Sequence, residues 1–70
     1  MTITKRMYDI PVGTIIYRST GDIVITSEYD DFHGLYYCND IEYDDNGDGL
    51  EIDNGNRVTP ADLIGDMVYF

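Results

Sequence analysis

Hydrophobic and polar residues alternate over short segments that are separated by Gly, Asn and Asp, a pattern typical of β-strands. Two segments rich in β-branched and aromatic residues, 14–18 (TIIYR) and 22–29 (DIVITSEY), flank a Ser-Thr-Gly connection. In the second segment Ile23, Ile25 and Ser27 point one way, and the residues between them point the other way. We therefore predict a β-hairpin with one buried and one wet face.

The middle of the chain is predicted to continue this meander. Residues 30–34 (DDFHG) are typical of a turn. Residues 35–38 (LYYC) and 41–43 (IEY) then have the composition of strand segments, and Asn39-Asp40 between them is a candidate β-bulge.

Residues 44–49 (DDNGDG) are the strongest loop signal in the chain. Asn-Gly accepts the positive backbone dihedrals that a hairpin turn demands, so this segment is predicted to connect two antiparallel strands. Residues 50–53 are predicted to return as a strand. Asn54-Gly55 is then predicted to form a further turn and residues 56–58 a short strand.

The last predicted elements are a helical turn and a terminal strand. Thr59 is a favourable N-cap and Pro60 occupies the first helical position, so residues 59–64 are predicted to form one helical turn. Gly65 is expected to end it. Residues 67–70 (MVYF) are too apolar to lie free in water, and we predict that they pair as a terminal strand or pack against the core or a partner.

Three segments together make the chain similar to SH3-like β-barrels: 12–17 (VGTIIY), 21–24 (GDIV) and 58–63 (VTPADL). The resemblance covers roughly residues 12–64 and rests on a loose pattern that unrelated barrel modules share. It implies a mainly β fold, a small barrel with one short C-terminal helical turn, in a single domain over residues 1–70. It implies no particular chemistry. Members that bind nucleic acid usually have basic strands or loops, whereas here those places are acidic.

Composition adds a strong charge to this picture, with a formal net charge of −10. Ten carboxylates and no Lys or Arg lie between residues 28 and 53. Two unit charges roughly 7 Å apart in water repel by about 0.6 kcal/mol before salt screening. The expected stability of such a domain is only about 4 to 10 kcal/mol. Because this charge repels nucleic acid and anionic membranes, we expect a basic protein as the partner.

The size and the single cysteine give expectations about assembly and compartment. A chain of 70 residues is near the lower limit for one hydrophobic core, which is compatible with a homo-oligomer. Cys38 cannot form an intramolecular disulfide, so we expect a buried thiol in a reducing cytosol. Lys5 and Arg6 precede Asp9 and Pro11 rather than an apolar run, so no signal peptide or membrane segment is predicted. We expect a cytoplasmic protein, in the host cytoplasm if the chain is viral.

The carboxylates are predicted to form rows. Side chains at i and i+2 of a strand share a face about 6.6 to 6.8 Å apart, so Asp40, Glu42 and Asp44 would form one row. Shorter rows would be formed by Glu28 with Asp30 and by Glu51 with Asp53. Regularly spaced negative charge on a rigid scaffold is what a DNA-binding protein recognises in a phosphate backbone.

Tyrosines are interleaved with these acidic residues, and they offer a large contact area at low entropy cost. By strand alternation, Tyr36 and Tyr37 cannot both face the core. The predicted partner-binding residues are Glu28, Asp30, Asp31, Tyr36, Tyr37, Asp40, Glu42, Tyr43, Asp44, Asp45, Asp48, Glu51 and Asp53.

In size, acidity and tyrosine content the chain resembles the DNA-mimic inhibitors of bacteriophages and mobile elements. The resemblance implies an inhibitor of anti-restriction, anti-CRISPR or other anti-defence type that occupies the basic nucleic-acid-binding surface of a host protein. One alternative is a structural or accessory module of a virion or larger complex, held by residues 67–70 and by edge strands. Another is a solvated acidic face that keeps a small domain soluble or adapts it to high salt.

Other chemistry has weaker support in the sequence. Asp44-x-Asn46-x-Asp48-Gly49 matches the first half of an EF-hand loop, but the twelfth position is Gly55 and no helices are predicted beside it. We therefore expect no metal or other cofactor, and a self-standing calcium-binding module is a third possibility with less support. His33 and Cys38 alone do not indicate a nucleophile and base. The sequence has no Gly-rich phosphate loop, HExxH motif or Cys/His cluster, so we expect a protein that is not an enzyme.

Overall fold

The computed structural model describes residues 10–65 and the backbone of residues 67–68. Its elements are β1 (Ile15–Tyr17), β2 (Ile23–Ile25), β3 (Tyr36–Tyr43), β4 (Gly49–Val58), α1 (Pro60–Leu63) and β5 (Met67–Val68). The strands form one antiparallel sheet in the order β4-β3-β2-β1-β5. Because β4 and β5 lie at opposite edges of this sheet, the predicted mainly β fold is confirmed as an open antiparallel sheet, without closure into a barrel in the part of the chain described.

The predicted first hairpin is confirmed, with shorter strands than expected. Ile15 of β1 pairs with Val24 of β2, and Ile16 pairs with Ile23. Beyond β2 the chain forms the predicted turn: the amide of Gly34 donates a 2.7 Å hydrogen bond to the carbonyl of Asp30. Gly34 has φ +69°, a left-handed conformation that glycine adopts without strain.

The hairpin between β3 and β4 differs in detail from the prediction. The amide of Gly47 donates to the carbonyl of Asp44 at 3.0 Å, and the amide of Asp44 donates to the carbonyl of Asp48 at 3.0 Å. Gly47 has φ +82°, whereas Asn46 is not among the residues with positive φ. The loop is therefore a longer hairpin turn with one left-handed glycine, and not a two-residue Asn-Gly turn.

The predicted turn at Asn54-Gly55 is wrong, because β4 runs without interruption through it. Cys38 pairs with Asn56 and Asp40 pairs with Ile52, so three residues of β4 lie opposite Asn39 alone. The predicted bulge at Asn39-Asp40 thus exists, with its extra residues on the partner strand. Gly55 adopts φ +60° there.

The core lies on one face of the sheet and is closed by α1. Thr59 caps α1 as predicted: Thr59 Oγ1 accepts a 3.3 Å hydrogen bond from the amide of Asp62, and Asp62 Oδ2 accepts a 3.1 Å bond from the amide of Thr59. This capping box places Leu63 in the core. The buried cluster consists of Ile10, Ile16, Ile23, Ile25, Tyr36, Cys38, Val58 and Leu63, with Tyr29 packed against it.

Two further predictions concern the ends of the described region. The terminal strand is confirmed for residues 67–68, whose backbone pairs with Ile16 and Tyr17 of β1. Residues 69–70 lie outside the described residues, as do Lys5 and Arg6. Cys38 is buried, as expected for a free thiol in a small core.

Candidate protein-binding surface

The largest group of carboxylates lies on residues 40–53, which we call the acidic hairpin: the end of β3, the turn and the start of β4. Asp40 and Glu42 share one side of β3, because they are two residues apart in a continuous strand. Asp44, the third member of the predicted row, follows the strand and belongs to the turn. The seven carboxylates of the acidic hairpin are Asp40, Glu42, Asp44, Asp45, Asp48, Glu51 and Asp53, all exposed except the half-buried Asp40.

Asp44 organises the turn of the acidic hairpin. Its Oδ1 accepts hydrogen bonds of 2.9 Å from the amides of both Asn46 and Asp48. Asp44 therefore acts as a side-chain cap of the loop. In the part of the chain that the structure describes, no three His, Cys, Asp or Glu side chains are grouped so as to hold a metal ion.

The bulge fixes two of the carboxylates. Asn39 is only 6% exposed, and its Nδ2 donates a 2.7 Å hydrogen bond to Glu51 Oε2 while its Oδ1 accepts a 3.0 Å bond from the amide of Gly55. Asn54 Oδ1 accepts from the amide of Asp40 at 3.1 Å, and Asn54 Nδ2 donates to Asp40 Oδ2 at 2.7 Å. Glu51 and Asp40 thus have defined orientations. The three-residue bulge that contains Asp53 interrupts the alternation on which the predicted Glu51-Asp53 row depends.

The second acidic segment is the connection between β2 and β3, where Glu28 and Asp31 are exposed. Asp30 is internally bonded: its Oδ1 accepts from the amides of Phe32 and His33 at 3.0 and 3.1 Å, and its Oδ2 lies 2.8 Å from His33 Nδ1. The hydrogen bond with His33 is the main reason why the pKa of Asp30 is lowered. These bonds hold the turn in one shape.

Phe32 projects from this turn and is 90% exposed. Its ring contacts the ring of His33 edge to face, with centroids 4.8 Å apart. Phe32 was not among the predicted partner-binding residues, although a single aromatic residue in an otherwise polar turn is a signal that could have identified it. An aromatic side chain displayed on a hydrogen-bonded turn has the properties of a binding hot spot.

The predicted tyrosines have different environments. Tyr36 has no exposed surface, so its side chain cannot form part of a partner-binding surface, and its inclusion among those residues is corrected. Tyr37 points to the opposite side of β3, where the guanidinium carbon of Arg57 lies 5.9 Å from its ring centroid. Tyr43 is 51% exposed, and its hydroxyl donates a 2.6 Å hydrogen bond to Asp22 Oδ2.

A groove of about 450 Å³ lies on the sheet face opposite the core, lined chiefly by Ile15, Tyr17, Val24, Ile41, Tyr43 and Glu51. The prediction of a wet second face is therefore wrong at Val24, which is buried. Consecutive apolar residues at Ile15-Ile16 and at 23–25 (IVI) are the signal for it, because a strand without alternation has two apolar faces.

Cys38 and His33 lie in different environments. Cys38 is in the core, and burial is the main reason why the pKa of its thiol is raised. His33 is on the exposed turn and is bonded to Asp30. A raised pKa disfavours the thiolate, which is the reactive form of cysteine.

Comparisons with protein-family models, with curated proteins and with solved structures found no significant match to the chain. Among the helices of the described residues, none has the length and apolar character needed to cross a membrane.

Proposed function

We propose that this protein is an acidic inhibitor that binds the basic nucleic-acid-binding surface of a host protein as a DNA mimic, of anti-restriction, anti-CRISPR or other anti-defence type, in the host cytoplasm. The observation that carries the proposal is the acidic hairpin, where seven carboxylates occur within residues 40–53 without a Lys or Arg. Such a concentration of one sign of charge attracts a basic surface and disfavours nucleic acid itself as a ligand.

Within this proposal the carboxylates have two roles. The exposed Glu42, Asp45 and Asp48 increase the rate of encounter with a basic surface. Asp40 and Glu51, in contrast, are already oriented by hydrogen bonds to Asn54 and Asn39. Oriented groups lose less conformational freedom on binding, so they are suited to set the register of the complex.

The exposed aromatic side chains would slow dissociation of the complex with the partner. Phe32 and Tyr43 are both exposed, and each belongs to a segment held by side-chain hydrogen bonds. Large apolar contacts of pre-organised aromatic residues contribute most of the affinity in many interfaces, whereas exposed charges contribute mainly to the association rate. The proposal thus assigns affinity to these rings and steering to the acidic residues.

The SH3-like architecture is part of the same proposal. The described elements occur in the expected order, with a short hairpin, a longer hairpin, one helical turn and a terminal strand. The proposal does not depend on closure of the sheet, because the acidic hairpin would act in the same way in an open sheet or in a closed barrel.

Affinity capture from a host lysate, followed by competition with DNA, tests the proposal. A captured protein should bind either DNA or this protein. Combined substitution Glu42→Gln, Asp45→Asn and Asp48→Asn should slow association by about tenfold or more at low salt. A captured protein that holds DNA and this protein at the same time would show that the decoy mechanism is wrong.

The alternative is a structural or accessory module of a virion or larger complex, and one observation favours it. β4 is ten residues long and, among the described residues, pairs only with β3, so its other edge can accept a strand from a partner. In that case the three substitutions above would leave binding intact. This alternative also assigns binding to the apolar C-terminal residues, so removal of residues 69–70, which keeps β5, would instead weaken it.

A further inference from the structure

The groove on the sheet face opposite the core combines apolar walls with one carboxylate. Ile15, Val24 and Ile41 supply the aliphatic surface, and Tyr17 and Tyr43 supply aromatic surface. Gly49 pairs with Tyr43 across the hairpin. A Cβ atom at this glycine would lie 3.2 Å from Ile41 Cγ2 and 3.3 Å from Tyr43 Cε1. The absence of a side chain at Gly49 therefore allows both neighbours to keep their positions in the groove.

Glu51 is held at the groove by a buried group. The side-chain amide of Asn39 makes two hydrogen bonds: its Oδ1 accepts from the backbone amide of Gly55 at 3.0 Å, and its Nδ2 donates to Glu51 Oε2 at 2.7 Å. An ionised carboxylate has about four acceptor sites on its two oxygens, so the bond from Asn39 leaves it able to accept more. The groove thus contains an oriented negative group beside apolar surface.

Tyr43 is oriented from the other side of the groove. Asp22 accepts hydrogen bonds of 3.0 Å from the amide of Arg18 and 2.6 Å from the hydroxyl of Tyr43. The bond to Asp22 is the main cause that raises the pKa of Tyr43 to about 12. Like any tyrosine with a pKa of 10 or more, Tyr43 is neutral near pH 7. The neutral ring has a negative face that attracts cations.

We propose that this groove is a receptor site for an arginine side chain of the basic partner, an inference that rests on the proposed function for the identity of that partner. The methylene stem would pack against Ile15, Val24 and Ile41, and the guanidinium group would lie against the tyrosine rings and bond to Glu51. Arginine fits better than lysine because its planar group both stacks on aromatic rings and forms paired hydrogen bonds with a carboxylate. The carboxylates of the acidic hairpin beside the groove disfavour an anionic occupant.

Methyl NMR spectra of the folded protein can test this site with N-acetyl-arginine amide as the probe. The probe should shift the methyl signals of Ile15, Val24 and Ile41, with a Kd on the order of 10 mM for so small a ligand. N-acetyl-citrulline amide, which has a similar shape without the charge, should shift them little. Glu51→Gln should weaken binding of the probe by about tenfold, and the matched charge removal Asp53→Asn should leave it nearly unchanged.

Three outcomes would overturn the assignment: equal shifts from citrulline, equal weakening by Asp53→Asn, or groove signals that respond to protein concentration and so indicate a second copy. The outcomes also separate this inference from the proposed function. If the Glu51→Gln variant binds normally to a captured partner that cannot bind DNA at the same time, the proposed function is supported and the groove is not the site for an arginine of that partner. If the arginine probe binds as expected and no DNA-competing partner exists, the groove is still an arginine site and the proposed DNA-mimic function is wrong.

Discussion

The hydroxyl of Tyr43 donates a 2.6 Å hydrogen bond to Asp22 Oδ2, and this contact joins the acidic hairpin to the connection between β1 and β2. The backbone reinforces it, because the amide of Ile41 donates a 3.0 Å bond to the carbonyl of Asp22. The acidic hairpin is therefore anchored on its β3 side to an element outside it. This anchorage holds the hairpin on the sheet, while Asn39 and Asn54 orient the carboxylates of Glu51 and Asp40.

The contact between Tyr43 and Asp22 predicts a loss of stability in alkaline solution. The folded state raises the pKa of Tyr43 from 10.0 to about 12, mainly through the hydrogen bond to Asp22. A raised pKa stabilises the fold fully below about pH 10, and that contribution is lost as the pH rises from about 10 to 12. Thermal unfolding followed across this range should show a smaller decline for Tyr43→Phe than for the unmodified chain. Equal declines would mean that the bond does not form in solution.

The buried amide of Asn39 predicts a large effect from a single substitution in the bulge. Asn39→Ala removes two hydrogen bonds of a buried side chain, one of them to the carboxylate of Glu51, at a cost of about 1 to 3 kcal/mol. Urea unfolding measures this change. Asn56→Ala is the matched control, because it removes an exposed amide from the same strand. Similar losses from both substitutions would contradict the role of Asn39.

Local signals in the sequence were sufficient for some elements of this fold. The capping pair Thr59 and Asp62 satisfies backbone groups within four residues, and the turn at 30–34 is closed within its own segment. Such bonds depend on neighbours in the chain, so residue types alone indicate them. The first hairpin was predictable for the same reason.

Other features depend on contacts between distant residues. Asn54-Gly55 has the composition of a turn, but Asn39 and Asp40 bond to these residues and hold them inside β4 as a bulge. Nothing near residue 54 in the sequence indicates that partner. Similarly, the choice between Tyr36 and Tyr37 for the core depends on register, because a shift of one residue exchanges the two faces of a strand. The groove was missed because it requires both faces of β2 to be apolar.

The core position of Cys38 predicts a protected thiol. Burial raises the pKa of the thiol, and the negative charge of Asp40 adds to this effect. A disulfide reagent can reach the buried thiol only when the structure opens locally. Modification of the folded protein near pH 8 should therefore be at least about a hundredfold slower than modification of the protein unfolded in urea. Equal rates in the two conditions would show that this part of the core is open in solution.

The bond between Asp30 and His33 predicts a measurable change in acid. The pKa of Asp30 lies below its ordinary value of 3.8, first because of the side-chain hydrogen bond with His33. A lowered pKa stabilises the folded turn above about pH 4, and this contribution is lost as the pH falls through the folded value. Carboxyl NMR titration should show the pKa of Asp30 returning toward 3.8 in His33→Ala. In the control Phe32→Ala, which retains the imidazole, it should stay low.

The exposed carboxylates of the acidic hairpin predict opposite effects on folding and on binding. Replacing Glu42, Asp45 and Asp48 by Gln, Asn and Asn removes repulsion among like charges, so the free energy of unfolding should rise by about 1 kcal/mol at low salt. At about 1 M salt, where the screening length is about 3 Å, most of this gain should disappear.

The same triple variant should bind a basic partner more weakly, because the charges that repel one another in the folded protein are also those that attract the partner. If these residues are retained for function, their replacement should make the protein more stable and should lower its rate of association with the partner. Urea unfolding at two salt concentrations measures the change in stability, and association rates for a captured partner measure the change in binding. A triple variant that is less stable at low salt would show that these carboxylates support the hairpin, and one that binds at an unchanged rate would show that they do not steer the partner.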